Sequence, residues 1–66
     1  MQIILNGEPR EVPPEISLQD LLRFLELKED RVAVELNRGI VKRERWPETQ
    51  LRTQDRLEIV QFVGGG

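Results

Sequence analysis

Residues 17–26, SLQDLLRFLE, contain the pattern of a helix, and the rest of the chain can be placed around them. Ser17 is typical of a helix N-cap, and an aspartate three residues later resembles the partner position of a capping box. Four leucines recur at the spacing of one helical face: Leu18, Leu21, Leu22 and Leu25. We therefore predict a helix over residues 18–26, with this leucine stripe turned towards the core.

Short β-rich segments flank the predicted helix on both sides: residues 2–5, 10–12, 32–36, 40–41 and 57–63. Asn6-Gly7 and the stretch 37–39 are turn signals that join pairs of these segments into hairpins. The charged stretch 42–50 contains a proline and is expected to be a loop or a short 3₁₀ segment. One helix laid across one mixed sheet of four or five strands is the simplest way to bury both apolar faces. The sequence thus predicts an α+β domain over residues 1–63, followed by a glycine tail at 64–66.

Composition excludes several classes of function. A chain of 66 residues has room for one domain. Ten basic and twelve acidic residues give a net charge of −2, which argues against nucleic-acid binding. The chain lacks cysteine, histidine and tyrosine, so we expect no self-contained enzyme, no bound metal and no bound cofactor. The apolar runs are too short for a signal peptide or a membrane span, and the expected location is cytoplasmic.

The last three residues, Gly64, Gly65 and Gly66, are the first candidate functional feature. Glycine loses the most backbone entropy on ordering and has no Cβ, so we expect a flexible thread that fits through a narrow slot. A terminal carboxylate on Gly66 is ionised at neutral pH and is a poor electrophile until it is activated, for example by adenylation. Glycines alone are equally consistent with a disordered end that has no function.

The second candidate feature is the open face of the final strand. If Leu57 and Ile59 turn towards the helix, the alternate residues of that strand turn towards water. Ile4 of the first strand would lie on the same face. The opposite register would bury these residues instead. Four residues define the predicted docking face: Ile4, Glu58, Val60 and Phe62.

Three stretches of the chain closely resemble the ThiS family of bacterial sulfur carriers in thiamine biosynthesis: LNRGIV at 36–41, RERW at 43–46 and DRLEIVQFVGGG at 55–66. The similarity extends over the whole chain and implies a ubiquitin-like β-grasp fold. It implies that a ThiF-like, E1-type adenylyltransferase uses ATP to adenylate the Gly66 carboxylate. Sulfur derived through a cysteine desulfurase then gives a thiocarboxylate, which docks on a ThiG-like thiazole synthase and donates its sulfur.

Other interpretations of the sequence stay open. A molybdopterin synthase small subunit would use the same terminal chemistry with a different acceptor. A ubiquitin-type modifier would form an isopeptide bond, and an inert β-grasp module would not use its glycines. The basic residues around Trp46 are better explained as a solvated loop than as a nucleic-acid patch. Glu35 and Glu58 are either ordinary strand residues or partners for basic groups of a bound protein.

Overall fold

The computed structural model describes residues 1–62. Its regular elements are β1 (Gln2–Leu5), β2 (Glu8–Glu11), α1 (Leu18–Phe24), a 3₁₀ segment (Glu29–Arg31), β3 (Val32–Leu36), β4 (Gly39–Ile40), a second 3₁₀ segment (Arg43–Glu48) and β5 (Arg56–Gln61). Val63 and the predicted tail at 64–66 lie outside the described residues.

The strands form a single five-stranded sheet in the order β2-β1-β5-β3-β4. β1 and β5 run parallel, whereas the other neighbouring pairs are antiparallel. The helix lies between β2 and β3 in the chain, and its buried leucines share one core with the strands. The predicted α+β class and the mixed sheet on one main helix are therefore confirmed.

Both hairpins are closed by two-residue turns. Asn6 and Gly7 have φ angles of 49° and 84°, and Asn37 and Arg38 have φ angles of 50° and 74°. Positive φ at both central residues matches the right-handed twist of the flanking strands. Pairing therefore resumes directly after each turn, at Leu5 with Glu8 and at Leu36 with Gly39. The predictions that β2 begins at residue 10 and that β4 covers 40–41 were wrong for this reason.

The helix begins where the sequence predicted. The Oγ atom of Ser17 accepts a hydrogen bond from the backbone N–H of Asp20 at 3.1 Å. The Asp20 carboxylate lies 3.7 Å from the guanidinium of Arg23, so the capping box is formed only on the serine side.

The helix ends at Phe24, two residues earlier than predicted. Glu26 adopts a φ of 59°, and its N–H donates to the carbonyl of Arg23 at 3.0 Å. The N–H of Leu27 donates to the carbonyl of Leu22 at 2.9 Å. These two bonds form a Schellman motif, which uses the free carbonyls of the last turn.

The core joins both layers of the fold. Leu18, Leu21 and Leu22 of α1 are fully buried, as is Ile3 of β1. Trp46, in the second 3₁₀ segment, is only 2% exposed, and its indole N–H donates to the carbonyl of Val41 at 2.9 Å. The predicted 3₁₀ stretch is thus confirmed, and it closes the core through Trp46. Within residues 1–62, no helix has the length and apolar character needed to cross a membrane.

Candidate functional site

The register between β3 and β5 decides which side chains face away from the helix. Val34 pairs with Ile59, and Val34 is buried in the core. The intervening positions, including the Ala33–Val60 pair, therefore lie on the opposite, open face of the sheet. Val60 is 57% exposed and Phe62 is 58% exposed. The predicted orientation of Val60 is confirmed and Phe62 is exposed as predicted, while their role in docking stays a prediction.

Ile40 also lies on the open face. It pairs with Glu35 across β3 and β4 and is 80% exposed, more than any other large hydrophobic side chain among residues 1–62. We define the apolar patch as Ala33, Ile40, Val60 and Phe62. Ala33 and Ile40 were not among the docking residues predicted from the sequence. Ile40 was missed because a two-residue strand carries no alternation to reveal its open face.

Ile4 lies on the open face but apart from this patch. It pairs with Arg56 of β5 and is half-buried. Val60 is four residues further along β5, which corresponds to about 13 Å at the rise of a strand. The structure therefore places Ile4 two positions from Glu58 along β5 but away from Val60, and it brings Glu58 and Val60 into one groove.

A groove of about 120 Å³ lies within the patch. It is bounded by Ala33, Ile40 and Val60 together with the paired residues Glu35 and Glu58. A larger groove of about 350 Å³ lies at the β1–β2 hairpin, where it is lined partly by Glu8 and Arg10. That hairpin forms the other edge of the sheet from β4, so the two grooves are separate surfaces.

Hydrogen bonds at Ile59 and Phe62 hold β5 and the residue that follows it in place. The side chain of Asn6 accepts a hydrogen bond from the N–H of Ile59 at 2.8 Å and donates to its carbonyl at 3.3 Å. The backbone N–H of Phe62 donates to the carbonyl of Arg31 at 2.7 Å. Asn6 thus extends the pairing of β1 with β5 past the end of β1. Sequence reasoning assigned Asn6 only to a turn, because its contact lies 53 residues away along the chain.

Comparison with known proteins places this geometry in a family. The ThiS family model matches residues 3–66. The chain belongs to the ThiS family. The sulfur carrier protein ThiS of Bacillus subtilis is 46% identical over 50 residues, which cover 76% of each chain. A thiazole synthase of Magnetococcus marinus is 39% identical over 66 residues, which cover all of this chain and 20% of that protein. The crystal structure of a thiamine biosynthesis protein (ThiS) from Geobacter metallireducens is 32% identical, with a TM-score of 0.86 over the whole of both chains.

The ThiS match agrees with the fold of the described residues. ThiS is a family of small sulfur carriers, and the β-grasp fold expected from the resemblance is confirmed by the structural similarity. The match extends through Gly64, Gly65 and Gly66, which lie outside the described residues. Their predicted role and the predicted docking role of Ile4, Glu58, Val60 and Phe62 stay predictions.

Proposed function

We propose that this chain is a sulfur carrier whose reacting group is the terminal carboxylate of Gly66. A carboxylate oxygen attacks the α-phosphorus of ATP in an E1-like adenylyltransferase, and pyrophosphate leaves. A sulfur nucleophile, in the simplest case hydrosulfide, then attacks the acyl carbon and expels AMP. The proton of hydrosulfide is released, and a thiocarboxylate remains at the chain end. We further propose that the reaction takes place in the cytoplasm, where ATP is available.

The observation that carries this proposal is the ThiS family match from residue 3 to residue 66. It includes Gly66, whose carboxylate is the proposed reacting group, and Gly65 beside it. The chain also lacks cysteine and histidine, so the proposed chemistry relies on groups of the partner enzymes. The match supports a thiazole-forming acceptor over molybdopterin synthase as the destination of the sulfur.

The open face of β5 supports separate roles for the folded domain, which binds partners, and for the C-terminal glycines, which carry the reacting group. Four residues follow Phe62, and extended backbone spans at most about 3.6 Å per residue. A stretch of four residues can therefore reach at most about 14 Å from Phe62. A partner that contacts the apolar patch would thus hold the reacting group within reach of a nearby active site. We propose that the adenylyltransferase and the thiazole synthase both use this face in turn, and that the sulfur originates from cysteine through a desulfurase.

The thiazole synthase of Magnetococcus marinus supports the choice of acceptor. All of this chain matches a segment that makes up 20% of that protein. That thiazole synthase therefore contains, within one chain, a segment similar to this protein. Covalent linkage raises the effective concentration of one module at the other, which is useful when the two must meet for sulfur transfer.

The experiment is an intact-mass measurement after incubation with the adenylyltransferase, ATP and sulfide. The expected result is the exchange of one oxygen for one sulfur in wild type and no change after deletion of Gly66. Glu44→Gln is the matched control, because Glu44 is exposed in the second 3₁₀ segment and the substitution leaves the tail unchanged, so this variant should be modified like wild type. Conjugates to lysine side chains would instead indicate a ubiquitin-type modifier. An unchanged wild-type mass would contradict the proposal.

A further inference from the structure

Two carboxylates of equal charge lie side by side in the groove of the open face. Glu35 and Glu58 are directly opposite each other in the β3–β5 ladder, and both are exposed. Directly opposed side chains in an antiparallel pair have Cβ atoms about 5 Å apart, and like charges there are destabilising. The sheet thus carries an unfavourable pair at the centre of its open face.

Within residues 1–62, no basic group of the protein forms an ion pair with this carboxylate pair. The ion pairs of this part of the chain involve Glu11, Asp20 and Glu48 instead. Arg56 is the basic residue of β5 on the same face, two positions from Glu58. Its backbone N–H donates to the side-chain oxygen of Asn37 at 3.0 Å, but its guanidinium pairs with neither Glu35 nor Glu58.

The groove has the size and chemistry for one side chain. Pockets for small molecules span about 300–1,000 Å³, whereas this groove measures about 120 Å³. Its walls are the apolar side chains of Ala33, Ile40 and Val60, and Glu35 and Glu58 supply negative charge. The complementary group therefore combines an aliphatic stem with a positive end.

Arginine meets both requirements better than lysine. Its stem packs along apolar surface while its charged end stays at the polar rim. The planar guanidinium carries five donors in a fixed fork, so one group can contact two carboxylates at once. Lysine presents a compact and strongly hydrated ammonium, which exchanges water for protein contacts less readily. Arginine is also enriched among residues that dominate protein–protein binding.

We propose that thiazole synthase inserts an arginine side chain into this groove, with its guanidinium between Glu35 and Glu58 and its stem on Ile40 and Val60. The choice of partner rests on the proposed function and on the thiazole synthase of Magnetococcus marinus, which contains a segment similar to this chain. Docking replaces repulsion between the two carboxylates with two charge-assisted contacts. The pair thereby favours the bound state over the free carrier.

The test is the affinity of the whole chain for its thiazole synthase, measured by calorimetry at low and high salt. The double substitution E35Q/E58Q keeps the shape of both side chains and removes both charges. We expect the Kd to rise about ten- to hundredfold and the salt dependence of binding to shrink. E44Q is the matched control, because Glu44 is exposed in the second 3₁₀ segment, and its Kd should equal that of wild type. Thermal unfolding of E35Q/E58Q should occur at the wild-type temperature or above it, since repulsion has been removed.

Several results would overturn this inference. An unchanged Kd for E35Q/E58Q would exclude the arginine contact, even if Gly66 becomes thiocarboxylated as proposed. Wild-type protein that is thiocarboxylated but fails to bind thiazole synthase would exclude this partner and leave the carrier chemistry intact. A wild-type dimer that dissociates in E35Q/E58Q would assign the groove to a second copy of the chain. By contrast, binding without any thiocarboxylate formation would support the docking contact and contradict the proposed function.

Discussion

Replacement of Val60 by aspartate tests the apolar patch most sharply. Full burial of a valine side chain is worth about 1.5–3 kcal/mol, and Val60 is 57% exposed in the free protein. Docking can therefore gain about 0.9–1.7 kcal/mol from this side chain. Val60→Ala should lose part of that gain, which corresponds to a Kd up to about tenfold higher. Val60→Asp removes this contact and places a third carboxylate against the apolar stem of the docked side chain, which costs about 2 kcal/mol or more, so its Kd should rise more than about a hundredfold.

The same substitution should leave the fold intact. Aspartate is disfavoured in strands on a scale that spans about 1 kcal/mol, so the free energy of unfolding should fall by about that amount. The assay pairs calorimetric binding to thiazole synthase with a urea unfolding curve for each variant. Phe24→Asp is the control, because Phe24 is 48% exposed on the helix rather than on the open face of the sheet. Wild-type affinity in folded Val60→Asp would refute the reasoning.

Three further predictions concern stability. Trp46→Ala should lower the free energy of unfolding by about 3–5 kcal/mol, which is close to the whole stability of a domain this small. Trp46→Phe should lower it by less. Equal free energies of unfolding for the two variants in chemical denaturation would contradict this prediction. Asn6→Ala should lower the free energy of unfolding by about 1–2 kcal/mol, because it removes both side-chain hydrogen bonds to Ile59. Hydrogen exchange at the Ile59 amide should become faster, and an unchanged exchange rate would contradict the contact. Arg38→Gly should stabilise the second hairpin by up to about 1 kcal/mol, because Arg38 has a φ of 74°, and a lower melting temperature would contradict this explanation.

Local signals were sufficient for much of the fold. The serine cap and the leucine spacing located the helix start, and the β-rich segment 32–36 located β3. The helix end was less visible, because the left-handed position of a Schellman motif is usually glycine and here it is Glu26. The start of β2 was missed because Glu8 and Pro9 have low strand propensity. Their pairing with β1 is imposed by the turn that precedes them.

The candidate site depended more on contacts between distant parts of the chain. Alternation along β5 placed Glu58, Val60 and Phe62 on one face without knowledge of the fold. Pairing between strands brought Ile40 to the same face and set Glu35 opposite Glu58. The parallel register of β1 separated Ile4 from Val60. Such registers follow from long-range packing, so they could not be derived from local sequence patterns.

The most direct test of the proposed sulfur transfer follows one sulfur atom through both partners. Wild-type protein is incubated with the adenylyltransferase, ATP and sulfide enriched in a heavy isotope, and fragment mass spectrometry then locates the label. We predict that the label lies at Gly66 alone and that it passes into the thiazole product when thiazole synthase and its other substrates are added. Label at any other residue, or label that stays on Gly66 while unlabelled thiazole forms, would contradict the account.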